Sequence, residues 1–72
     1  MANYTAVFEQ AADGSWGGYV PDLPVVVASG ETLEEAQQNM REGIEIWIEE
    51  AKRSGEPIPA AKSQASVIEV AA

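Results

Sequence analysis

Near the amino terminus Tyr4, Ala6 and Phe8 alternate with Thr5, Val7 and Glu9. That period of two belongs to a strand, whose successive side chains point to opposite faces. It predicts a first strand from Asn3 to Gln10. Asp13-Gly14 is a turn dipeptide that favours positive φ, and the extended pattern resumes at Trp16, so a hairpin follows. Gly17 and Gly18 weaken a strand interior and imply a bulge or a close backbone approach there. Pro21-Asp22-Leu23-Pro24 cannot continue a helix or an internal strand ladder, because proline lacks an N–H and restricts the residue before it. These four residues predict a corner. Val25, Val26, Val27 and Ala28 behind it are apolar at consecutive positions. Such a run fits a strand covered on two sides, by the domain's own helix and a partner or by two layers of one domain.

The period then changes. Thr32 with Glu35 three residues later forms a capping-box pattern, and Glu34 and Glu35 suit the positive end of a helix dipole. Leu33, Ala36, Met40, Ile44, Trp47, Ile48 and Ala51 recur at spacings of three and four and mark the apolar face of an amphipathic helix of about 22 residues. Ile46 falls off that stripe, either exposed or facing another subunit. Lys52 and Arg53 suit the last turn, and Gly55 with Pro57 ends the helix. A helix of about 33 Å outreaches strands of about 20 Å. Its carboxy-terminal half, rich in Ile46, Trp47 and Ile48, is therefore expected to overhang the sheet. Gln64 to Val70, with β-branched Val67, Ile68 and Val70, predicts a final strand that joins the sheet or pairs across a dimer.

Composition changes this picture in two ways. A chain of 72 residues makes one small domain, and with no cysteine to staple it, self-association is the remaining common way to bury more apolar surface. Twelve acidic against four basic residues give a net charge of −8. That charge disfavours nucleic acid and anionic membranes and favours a basic protein partner, or else serves solubility alone. The amino terminus has no leader pattern and no apolar run long enough for a membrane span, so a cytoplasmic location is expected.

The same residues argue against catalysis. Without histidine there is no imidazole base or nitrogen ligand, and the two aspartates, Asp13 and Asp22, read as turn and corner residues. Most glutamates fall on the solvent side of the helix, and no serine has a base beyond a chance proximity to Lys62. No catalytic residue, metal ligand or cofactor is expected.

Pro21 to Pro24, then Gly30, Thr32, Glu35 and Ala36, then Asn39, and finally Gly55, Pro57 and Pro59 stand in an order and spacing that resembles the amino-terminal domain of the HicB antitoxin family. The resemblance covers most of the chain. It implies an α+β fold: a two-layer β-β-β-α-β domain with a three-stranded meander, one long helix and a final strand, similar to part of the ribonuclease H fold. It also implies a homo-oligomer that neutralises a small basic, messenger-RNA-cleaving, HicA-like toxin by covering it. The chain departs from the family pattern at Val25 and Val26, where a glycine and a small residue are common. It also ends without the DNA-binding segment that many members carry, so residues 1–72 are expected to form a single domain that does not bind its own operator.

Two functions follow as alternatives. In the first, Asp22, Glu31 and Glu34 steer a basic toxin, and Val26, Ile46, Trp47, Val67 and Ile68 serve a dimer or tetramer interface. Pro21, Leu23, Pro24, Gly30, Thr32 and Glu35 are then structural, and corner formation and helix capping compete as roles for Asp22 and the glutamates. In the second, the chain is an orphan scaffold or small-ligand module, with Trp16 and Tyr19 lining a pocket at a subunit boundary rather than packing in the core.

Overall fold

A computed structural model describes residues 2–72. Three short strands, β1 (Val7–Gln10), β2 (Trp16–Tyr19) and β3 (Val27–Gly30), precede one helix, α1 (Leu33–Ser54). The strands form an antiparallel meander in the order β1-β2-β3, and the rows Val7–Tyr19–Val27 and Phe8–Gly18–Ala28 run across all three. This α+β arrangement agrees with the sequence pattern as far as the helix.

Strand one is shorter than its alternation predicts. Pairing stops at Val7↔Tyr19 because β2 runs directly into Val20 and the proline corner, leaving nothing opposite Tyr4 to Ala6. Their side chains are used otherwise. The Tyr4 hydroxyl donates to the Pro59 carbonyl at 2.6 Å, and the Thr5 hydroxyl donates to that of Ser63 at 2.8 Å.

The core lies between the sheet and α1, where Val20, Leu23, Val26 and Met40 are buried and Tyr4, Ala6, Phe8, Ala28, Ile44 and Trp47 pack around them. A Cβ on Gly18 would stand 2.6 Å from the Phe8 ring, so the glycine makes room for an aromatic that covers the strand next to it. The valine run is covered on one face only within the chain: Val26 is buried, whereas Val25 and Val27 on either side of it are each 70% exposed. Of the two arrangements the run allowed, enclosure by two layers of the one domain is therefore not the one the chain adopts.

The helix begins and ends as its caps dictate. Thr32 is extended and accepts at its hydroxyl from the Glu35 N–H at 3.1 Å. At the other end the Glu56 N–H donates to the Ala51 carbonyl and the Gly55 N–H to that of Lys52, a Schellman pair closed by left-handed Gly55.

The expected final strand does not join the sheet within the chain. Residues 64–70 form no strand among the described residues, and Val67, Ile68 and Val70 stand open to solvent. β-branched composition gives a strand its propensity, but only a paired edge makes it a strand.

Candidate functional site

Sequence motifs place two polar constructions at opposite ends of the sheet. The hairpin turn closes through Ala11 and Ser15, and the Asp13 carboxylate accepts from the Ser15 N–H at 3.0 Å and its hydroxyl at 2.6 Å. Those bonds hold the Asp13 carboxyl below its ordinary range, since both favour the charged form. The Trp16↔Gly30 pair puts the end of β3, and hence the start of α1, at this same end. Asp13 and Glu31 accordingly line one polar recess with Gly14 and Ser15, and Glu34 is exposed on the first helical turn next to it.

The strand-to-helix junction behind these acids is tightly built. Glu35 reaches back to accept from the Glu31 N–H at 2.8 Å, one residue earlier than a standard capping box. A Cβ on Gly30 would lie 2.6 Å from the backbone nitrogen of Ala36, so only glycine lets β3 pass under the helix start. From one turn further along, the Asn39 side-chain amide donates to the Ser29 carbonyl at 2.8 Å and ties α1 to β3. Gly30, Thr32, Glu35 and Asn39 thus act together on one joint.

At the far end of β2 the Pro-Asp-Leu-Pro corner consists of two consecutive turns, with Leu23 N–H to Val20 carbonyl at 3.0 Å and Val26 N–H to Leu23 carbonyl at 2.9 Å. Both prolines are exposed and Leu23 is 1% exposed, so the rigid corner drives one leucine into the core. Asp22 is buried too. Its carboxylate accepts from the Lys62 N–H, the Ser63 N–H and the Ser63 hydroxyl, at 2.9, 2.9 and 2.8 Å. The Ser63 bonds, then the Lys62 N–H and ammonium, depress the Asp22 carboxyl below its ordinary value, and desolvation only partly opposes them. Asp22 is therefore a fastener for a segment forty residues away and stands apart from Glu31 and Glu34, which share the hairpin end. Asp13 joins them there; the sequence signal for it was only the hairpin turn that Asp13-Gly14 makes.

The apolar candidates divide by burial. Val26 is inside the chain's own core and Trp47 is half-buried against it, whereas Ile46, Val67 and Ile68 are 63%, 101% and 75% exposed. Trp16 is half-buried at the hairpin end, and Tyr19 lies on the opposite, open face of the sheet between Val7 and Val27. The two aromatics thus point to different faces and do not line a common recess.

Among the described residues no three acidic side chains are grouped to hold a metal ion, and no helix is long and apolar enough to cross a membrane.

A family model for the HicB-like antitoxin of bacterial toxin–antitoxin systems matches residues 4–71. UPF0150 protein ssr1765 of Synechocystis is 39% identical over 57 residues, covering 79% of this chain and 72% of its own. UPF0150 protein Ta0767 of Thermoplasma acidophilum is 38% identical over 56 residues, covering 78% and 81% respectively.

Proposed function

Because the chain belongs to the HicB-like antitoxin family of bacterial toxin–antitoxin systems, we propose that it neutralises a small basic toxin by direct protein–protein association. The toxin in this reading is a HicA-like messenger-RNA-cleaving protein, and the chain acts by covering it rather than by catalysis. The observation that carries the reading is the charge of −8 together with the gathering of Asp13, Glu31 and Glu34 at one end of the domain.

A negative end meeting a basic surface speeds encounter, and apolar contacts then set how long the complex lasts. Of the three acids named from sequence, Glu31 and Glu34 are free to meet a cation directly. Asp22 contributes through the segment it holds. The net charge also makes nucleic acid a poor direct partner.

The test pairs this chain with the small basic protein encoded beside it. Growth inhibition by that neighbour should be relieved on co-expression, and the two should co-purify. Glu31→Lys with Glu34→Lys should slow association roughly tenfold at low salt, the gap narrowing as salt screens the field. A toxic neighbour that neither binds nor is relieved would refute the reading. The orphan self-associating scaffold is the second reading, supported by the bare residues Val67, Ile68 and Val70, and a stable homo-oligomer with no toxic neighbour would favour it.

A further inference from the structure

The sequence marks Gly17 and Gly18 as either a bulge or a close approach to the backbone, and the register excludes the bulge. Phe8↔Gly18 and Glu9↔Gly17 pair without interruption. Gly18 is accounted for by the Phe8 ring on the core face. Gly17 is not. The glycines with positive φ are Gly14 and Gly55, and a Cβ built on Gly17 would meet nothing within 4 Å. Inside the chain, neither the backbone nor a neighbour asks for glycine here, in a strand that glycine weakens.

The missing side chain opens the outer face of the sheet. Gly17 stands between Glu9 and Ser29, next to the Val7–Tyr19–Val27 row. Its bare backbone is the floor of a shallow recess of about 450 Å³ that Glu9, Ala11, Tyr19 and Val27 also line. Glu9 is exposed, and the ion pair among the described residues joins Arg53 to Glu50, so the Glu9 carboxylate has no cation of its own. Tyr19 is 44% exposed, and Val25 and Val27 beyond it are each 70% exposed.

That combination selects an occupant. A flat floor, an aromatic ring and an unpaired carboxylate in one recess fit a guanidinium, which is planar, stacks on aromatic rings and donates to a carboxylate through two parallel N–H groups. An ammonium would use the charge but not the flat floor. The methylenes of an arginine would lie along Tyr19 and Val27. Bare valines outside the recess call for a protein surface rather than a free amino acid, because only the larger body covers them as well. That surface is basic, since Asp13 and Glu31 at the adjoining hairpin end reinforce the field of a chain with net charge −8.

We propose that Glu9, Gly17 and Tyr19 form a receptor for one arginine side chain of a basic protein partner, with Val25 and Val27 taking apolar contacts around it. The assignment rests on the toxin-binding reading above and centres it on the open face of the sheet, with Glu31 and Glu34 steering from the hairpin end. Gly17 is then the specificity element, because any side chain there would fill the volume that the guanidinium needs.

Gly17→Ala and Gly17→Val separate this role from a structural one. With nothing for a Cβ to meet, both variants should unfold in urea at the native midpoint or above it. Both should nevertheless bind the small basic protein encoded beside this chain roughly tenfold more weakly, as expected for a change at the centre of an interface. Glu9→Gln should weaken binding by a similar factor, and alanine substitution of each partner arginine in turn should find one whose loss is not additive with it. In the unmodified chain, the amide resonances of Glu9, Gly17 and Tyr19 should shift when the neighbour is added. Full affinity in stably folded Gly17→Val and Glu9→Gln chains would overturn the receptor while leaving the toxin reading intact, and so would unmoved amides at these residues in a formed complex. A neighbour that does not bind the unmodified chain would overturn both. If Gly17→Val loses its helix, Gly17→Ala and the amide shifts of the unmodified chain decide. A change in the chain's own sedimentation mass on Gly17→Val would give this face to a second copy and likewise overturn the assignment.

Discussion

Leu23→Ala tests whether the proline corner exists to bury one side chain. Leu23 is 1% exposed and belongs to the core with Val20, Val26 and Met40. The substitution removes three carbons, worth about 2.4 kcal/mol of transfer free energy at about 0.8 kcal/mol each. A cavity contribution adds to this, and measured Leu→Ala losses run from about 2.7 to 5 kcal/mol according to how far the surroundings collapse. Collapse is restricted here because the two turn hydrogen bonds on either side of Leu23 fix the backbone between two prolines. The expected loss is therefore about 3–4 kcal/mol, a large share of the roughly 4–11 kcal/mol available to a domain this size. In urea, with a slope of about 1 kcal/mol/M, the midpoint should fall by about 3 M. Leu33→Ala is the control: it has the same chemistry at 36% exposure in the first helical position, where alanine has similar propensity, so its loss should be about 1.5 kcal/mol, the buried share of the same transfer free energy without a cavity contribution. Equal losses at Leu23 and Leu33 would refute the account of the corner.

Three further outcomes follow from the joints of the fold. Asp22 has its carboxyl depressed by Ser63 and Lys62, so its stabilising effect is full above the ordinary carboxylate value of about 3.9 and disappears as pH falls through the lower folded value. The amide resonances of Lys62 and Ser63 should therefore shift between about pH 5 and 2, and a flat titration would count against the fastener. Gly30→Ala forces a Cβ against the backbone of Ala36 and should cost about 1–3 kcal/mol in chemical denaturation, with no cost expected if the helix start were loosely placed. Thr32→Ala removes the cap on the Glu35 N–H and should lower stability by about 1 kcal/mol, whereas Thr32→Ser should be nearly neutral; equal losses for the two would mean that the methyl group matters rather than the cap.

Family membership gives the acidic chain a functional setting, while the geometry changes which residues can be asked to serve it. Glu31 and Glu34 are free at the hairpin end, but the Asp22 carboxylate already accepts three hydrogen bonds. Reversing Asp22 would therefore release the tail as well as alter charge. A loss of toxin binding from such a variant would report on both effects, so the Glu31 and Glu34 substitutions are the cleaner map of a partner face.

The hairpin turn, the proline corner and the helix with both caps were legible along the chain because each depends on residues within about five positions of one another. Asp13-Gly14, Pro21 to Pro24, Thr32 with Glu35, and Gly55 carry their conformations locally. The apolar stripe likewise named the buried helix residues Ala36, Met40 and Ala51. Asn39 offered one longer-range signal, a poor helix former inside a helix, which its bond to Ser29 explains. Tertiary structure alone decided that Asp22 holds Lys62 and Ser63, that Val25 and Val27 stay bare beside buried Val26, and that strand one starts only at Val7. It likewise left residues 64–70 without a strand partner within the chain. Each of these outcomes depends on which distant backbone or side chain lies opposite, and local pattern carries no information about that.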